Sequence, residues 1–160
     1  MPSDATIEQI MGTNPDALFL SNGPGDPKDA KNALELAKEF IGKIPVLGIC
    51  LGHQIIGLTL GFDSFKLKFG HHGGNHPVKD IKRNKVIITS QNHNYALKEA
   101  DIKDVEITHI NLNDNTIEGI RHKKLPVLSV QYHPEAAPGP QDSRYIYKEF
   151  LEVISDYKNK

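Results

Sequence analysis

Apolar positions along the chain follow two regimes, one up to Gly61 and one after it. Behind Ser3-Asp4, which can cap a short helix, Ile7, Ile10 and Met11 recur at helical spacing until Gly12. Ala17-Leu18-Phe19-Leu20 is a short apolar run that predicts a buried strand. It leads into Asn22-Gly23-Pro24-Gly25-Asp26-Pro27, which fits neither helix nor strand and predicts a tight loop. Leu34, Ala37, Phe40 and Ile41 then share one face of a helix. Pro45 to Ile49 predicts a second buried strand, and a helix over Leu51–Leu60 begins directly behind Cys50. Strand alternating with helix is the grammar of a parallel α/β sheet.

After Gly61 the period changes. Phe65-Lys66-Leu67-Lys68-Phe69 alternates with period two, which predicts a half-exposed strand, followed by a loop rich in Gly and His. Val78–Ile81 and Val86–Thr89 flank a polar turn, and Val105–Leu112 and Thr116–Arg121 flank Asn113-Asp114-Asn115, so both pairs read as hairpins. Val127–Val130 is a last buried strand, and Tyr145, Ile146, Phe150, Val153 and Ile154 line a terminal helix. The sum is one α/β domain over residues 1–160, with a mixed, mostly parallel central sheet and helices on both faces.

Composition narrows the function. The 160 residues carry a formal net charge of −1, so no overall field recruits nucleic acid or an anionic membrane. The longest apolar stretch, Pro45–Gly61, is interrupted by His53 and Gln54 and is too short to span a bilayer. Cys50 is the only cysteine, so no intrachain disulfide forms, and the expected compartment is the reducing cytoplasm.

That cysteine sits where chemistry is easiest. Gly48-Ile49-Cys50-Leu51-Gly52 places a nucleophile between a strand and a helix, with glycines two residues either side to let chain pack closely. The helix start directs its dipole and free N–H groups at the thiol, which should lower the thiol pKa and can hold an oxyanion. His133-Pro134-Glu135 follows a buried strand, and residues two apart project to the same side of extended backbone. Glu135 can then fix the tautomer of His133 while His133 faces the thiol. His71, His72 and His76 cluster, but Gly73 and Gly74 disfavour a zinc-binding helix and no cysteine accompanies them, so no metal is expected. Asn22–Pro27 lacks the Lys-Ser/Thr ending of a phosphate loop.

These segments resemble the class I glutamine amidotransferases, whose nucleophile motif is matched by Gly48–Gln54 and whose second signature is matched by His133-Pro134-Glu135. Within that family the resemblance is to the small subunits of carbamoyl phosphate synthetases, carried by Leu20–Pro27, Lys68–Val78, Thr89–His93 and Ser129–Pro140. It implies a flavodoxin-like fold of class I amidotransferase type and a cysteine glutaminase. Cys50 would form a glutamyl thioester with L-glutamine, with His133 as base and Glu135 as its partner. Gly23, Gly25, Leu51, Gln54, Asn92, Asn94 and Tyr95 would line the glutamine site, and the Leu51 N–H and a Gly23–Gly25 N–H would form the oxyanion hole. Ammonia would pass to a large synthetase subunit that uses ATP and bicarbonate to make carbamoyl phosphate for pyrimidine and arginine synthesis. No cofactor is implied for this chain.

The chain departs from the family pattern in two places. Asn94 and Tyr95 stand where glycine and phenylalanine are usual, and Asn tolerates positive φ, so the loop can keep its shape. The chain also opens later than the family's amidotransferase domain, without its N-terminal domain, an earlier strand and helix, or a glutamine-contacting serine. Loss of an internal strand should expose apolar surface and unpaired backbone. Two other readings are a related γ-glutamyl cysteine hydrolase and a truncated, non-catalytic module that contacts a synthetase.

Overall fold

The computed structural model describes residues 1–135 and 140–159, and those residues form one seven-stranded mixed sheet with four α-helices. In chain order these are α1 (Ile7–Met11), β1 (Leu18–Leu20), α2 (Lys31–Phe40), β2 (Val46–Ile49), α3 (Leu51–Leu60), β3 (Ser64–Asp80), β4 (Lys85–Leu97), β5 (Val105–Asn111), β6 (Ile117–His122), β7 (Val127–Val130) and α4 (Tyr145–Lys158). Spatially the sheet runs β1-β2-β7-β6-β5-β3-β4.

The expected mostly parallel sheet is corrected. Only β1–β2 and β2–β7 pair in parallel, while β7–β6, β6–β5, β5–β3 and β3–β4 are antiparallel. The reason lies in the connections. A parallel neighbour needs a long crossover, which α2 supplies between β1 and β2, whereas β3 to β7 follow one another through short turns that reverse the chain. Asn84 (φ 49°) and Asn115 (φ 62°) take the left-handed conformations at two of those turns.

Neighbouring residues on the central strands face opposite ways and build two cores. Val46 and Val127 join Leu20, Leu36, Phe40, Ile55 and Ile56 under α1–α3, while Leu47, Leu128 and Val130 join Val78, Ile87, Ile146 and Phe150 under α4. Helices thus cover both faces, as the sequence predicts. Thr6, rather than Ser3 or Asp4, caps α1: its hydroxyl accepts from Gln9 N and the Gln9 side chain accepts from Thr6 N.

The Gly/His segment is not a loop. It is the middle of the 17-residue strand β3, which pairs with β4 through register shifts at Lys66/His71 and Gly73/His76. Phe65 and Phe69 are exposed rather than half-buried, Phe69 at 81%. At the other end of the sheet β1 is an edge strand, and its Phe19 is 45% exposed while stacking edge-on against Phe150 of α4.

Candidate active site

Cys50 is held in a backbone conformation that few side chains adopt, φ 54° and ψ −108°, between β2 and α3. Three contacts impose it. Cys50 N donates to Val130 O (3.0 Å), extending the β2–β7 ladder to the thiol, and Gln54 N donates to Cys50 O (3.2 Å), starting α3 at once. Gly52 lets the helix touch β1: a Cβ there would lie 2.0 Å from Leu20 O. Gly48 does the same beneath it, where a Cβ would lie 2.7 Å from the Gly52 carbonyl carbon.

The thiol opens into a cavity of about 330 Å³ lined by Asn22, Gly23, Pro24, Gly25, Cys50, Gln54, Asn92, His93, Asn94, Tyr95 and His133. The walls come from the loop after β1, the start of α3, β4 and the segment after β7, all near one end of the sheet. Leu51 does not line the cavity, yet its N–H points at the Cys50 sulfur and its side chain lies over Gly23. Glu135 stands behind His133: His133 Nδ1 lies 2.6 Å from Glu135 Oε1 and donates to it. That pairing leaves the lone pair on His133 Nε2, which is buried and has no hydrogen-bond partner among the described residues. The backbone of His133 is fixed by β4, since His133 N donates to Ser90 O (2.9 Å). Of the Ser129–Pro140 stretch quoted for the resemblance, residues 136–139 lie outside the described residues.

The expected lowering of the thiol pKa is overturned. Burial pushes Cys50 up to about 11, the Leu51 N–H pulls the other way without prevailing, and Glu135 and Glu118 add to the rise. In this form the thiol is protonated, and it donates to Asn92 O at 3.9 Å.

Behind the cavity lies a polar layer that the sequence does not announce. Gln54 Nε2 donates to Tyr95 O (2.7 Å) and Gln131 Oε1 (2.9 Å), which ties α3 to the pocket strand. His93 is fixed by Tyr95 O (2.7 Å) and Gln91 Oε1 (2.7 Å), and Gln91 Nε2 donates to buried Glu118 (2.9 Å). Burial lowers the His93 pKa to about 3. His71, His93 and Glu118 bring one ligand-type atom each within 4.8 Å of one another, whereas His72 and His76 do not join them. Asn111 and Gln91 already donate to the Glu118 oxygens and Asp114 takes His71 Nε2 (2.7 Å), so the cluster is hydrogen-bonded internally.

Asn94 does not use the positive φ it was expected to need. It is an ordinary residue of β4, and the left-handed positions lie opposite, at Gly70 (φ 69°) and Gly73 (φ 114°). Asn22, Pro24 and His93 line the cavity without having been singled out, although each sits inside a segment flagged for its neighbours. Pairing of His72 with Asn92 is visible only once the β3–β4 register is known.

The sequence matches the glutamine amidotransferase class-I family over residues 1–153. It is 62% identical to the carbamoyl phosphate synthase small chain of Caldanaerobacter subterraneus subsp. tengcongensis, over 99% of this chain and 45% of that one. It is 56% identical to the small chain of Aquifex aeolicus, over 96% of this chain and 42% of that one. The chain thus spans less than half the length of the curated relatives it matches. Among solved structures, a provisionally assigned GMP synthase component from Thermoplasma acidophilum superposes with a TM-score of 0.82 at 25% identity, covering 99% of this chain and 81% of that one. A cysteine on a strained turn, a histidine oriented by a carboxylate and a family match across nearly the whole length lead to one conclusion: the chain belongs to the class-I glutamine amidotransferases.

Proposed function

We propose that residues 1–160 act as one glutaminase domain supplying ammonia for carbamoyl phosphate synthesis. The observation that carries this reading is a single cavity holding the Cys50 thiol together with His133, whose Nε2 is unpartnered among the described residues and whose Nδ1 is held by Glu135. The named relatives support the choice of pathway.

The reaction begins with a protonated thiol. Glutamine fills the cavity between the Gly23–Gly25 loop and Asn92–Tyr95 and brings its carboxamide to Cys50. Nε2 of His133 takes the thiol proton as sulfur attacks the carboxamide carbon. Negative charge develops on the carboxamide oxygen, where the Leu51 N–H and an N–H of the Gly23–Gly25 loop meet it. His133 returns the proton to the leaving ammonia, then draws one from water as it hydrolyses the thioester. Glu135 keeps the ring in the tautomer that leaves Nε2 bare and stabilises the imidazolium that forms. These steps need no cofactor. Ammonia passes to a large synthetase subunit that consumes ATP and bicarbonate, and the setting is cytoplasmic. Among the described residues no helix is long and apolar enough to cross a membrane.

Glutamate release from L-glutamine by the purified chain, with and without the large subunit of a synthetase, tests this directly. Activity should be abolished in Cys50→Ser and fall about 10²–10⁴-fold in His133→Asn. A folded chain that releases no glutamate even with the large subunit, or a Cys50→Ser variant that retains activity, would sink the reading.

A further inference from the structure

Asn92 and Asn94 stand two residues apart on β4 and both line the cavity. Across the ladder, His72 of β3 is the direct partner of Asn92. Its ring reaches both amides: Nδ1 lies 3.0 Å from Asn92 Oδ1, and Nε2 lies 3.2 Å from Asn94 Oδ1. Residue 70 makes room for this, because a Cβ on Gly70 would lie 2.5 Å from His72 Nε2 and 2.6 Å from Asn94 Oδ1. The strand backbone is pinned at the same point, where His76 Nε2 donates to His72 O at 3.1 Å. His72 is not itself among the residues lining the cavity.

A neutral imidazole has one N–H and one bare nitrogen. The N–H requires a carbonyl oxygen, and the bare nitrogen requires an N–H. An amide offers either end, because a half-turn exchanges its oxygen and nitrogen with almost no change of shape. A neutral ring that bridges two amides therefore forces them to turn opposite ways. One gives its oxygen to the ring and leaves its NH₂ for the cavity. The other gives its NH₂ to the ring and leaves its oxygen for the cavity. The wall then presents a donor beside an acceptor. A free α-amino acid presents the complement, a carboxylate beside an ammonium on one carbon.

We propose that His72 is a positioning residue that sets Asn92 and Asn94 in opposite amide orientations, and so selects substrates with both a free α-carboxylate and a free α-ammonium. The proposal rests on the glutaminase reading above. Its Asn94 arm belongs to this chain rather than to the family pattern, in which glycine is usual at that position.

The test is glutaminase kinetics with L-glutamine, Nα-acetyl-L-glutamine, which lacks the ammonium, and 4-aminobutanamide, which lacks the carboxylate. His72→Ala should raise KM for glutamine about tenfold while kcat stays within about threefold, the pattern of lost binding rather than lost chemistry. Its preference for glutamine over both analogues should shrink. His72→Gln, which again offers one donor and one acceptor, should recover part of the loss. His72→Ala and Asn94→Ala should be less than additive in KM. Calorimetric binding of L-glutamine to the Cys50→Ser protein, with and without His72→Ala, reads the same shift without turnover. A wild-type enzyme that turns over glutamine, with KM and analogue preference unchanged in folded His72→Ala, overturns this inference alone. Absence of both turnover and binding overturns it together with the glutaminase reading.

Discussion

Two opposing influences meet at Cys50. The Leu51 N–H favours the thiolate, and burial disfavours it more, leaving the pKa at about 11. A resting thiol of this kind is protected from adventitious alkylation and depends on His133 for activation once substrate arrives. Iodoacetamide should therefore modify the unliganded chain slowly at pH 7, with a rate still climbing beyond pH 9, as followed by mass spectrometry. A plateau below pH 8 would show that the helix start outweighs burial. The nucleophile and the His133–Glu135 pair could be read from the sequence because each is local: an elbow needs five residues and the pair needs three. The sign of the pKa shift could not. It depends on Asn92, Glu118 and Glu135, which the fold brings near Cys50 from distant parts of the chain.

At the scale of elements, two contacts hold the parts of the site in register. The first is the crossing of α3 over β1. With a Cβ at 2.0 Å from Leu20 O, Gly52→Ala cannot be absorbed by a flexible side chain, so α3 must lift and carry Cys50 with it. We expect loss of soluble protein, or a destabilisation above about 4 kcal/mol measured by urea unfolding. The second is the anchoring of α4 to the β3–β4 hairpin. Tyr145 OH donates to buried Asp80 (2.7 Å) and lies 2.8 Å from His109 Nε2, while Arg83 stacks over the Tyr145 ring and bonds Asp80 and Glu149. Burial pushes the Asp80 pKa up, but the Tyr145 hydroxyl and the Arg83 N–H groups outweigh it and hold it below the ordinary value. Tyr145→Phe leaves that carboxylate short of a donor and should cost about 1–3 kcal/mol at neutral pH. Because a lowered carboxyl pKa stabilises above its unfolded value, the deficit relative to wild type should narrow as pH falls through the folded Asp80 pKa. An unchanged urea midpoint at pH 7 would count against the clip.

Buried histidines govern the molecule as a whole. Burial lowers His53 and His93 to about 3 and His109 to about 4. In the unfolded chain each takes up a proton near pH 6.5, so folding is favoured above that pH and loses ground as pH falls toward the folded values. His71 runs the other way, since Glu118 and Asp114 outweigh its burial and raise its pKa; its contribution is full at low pH and fades as pH rises through the folded value. The net uptake is up to two protons on unfolding. Stability should fall by up to about 3 kcal/mol per pH unit between pH 6 and pH 4.5. Urea midpoints across that range check it, and a flat profile would mean that the imidazoles are reached by water.

The sequence by itself determined what is local in the chain. The strand–helix alternation before Gly61, the hairpins after it, the elbow at Cys50 and the His-Pro-Glu segment all follow from periodicity, turn residues and short spacings, and the structure contains each. Tertiary structure decided what depends on pairing. The parallel grammar of the first 60 residues does not extend across the sheet, because short reversing turns from β3 to β7 make four of its six pairings antiparallel. The Gly/His segment reads as a loop because glycines weaken a strand signal, yet β4 supplies its partners and makes it β3. Cross-strand contacts such as His72 with Asn92, Ser90 with His133 and Gln54 with Tyr95 join residues 20 to 43 positions apart. Sheet register sets those contacts, and no stretch of the chain read alone contains it.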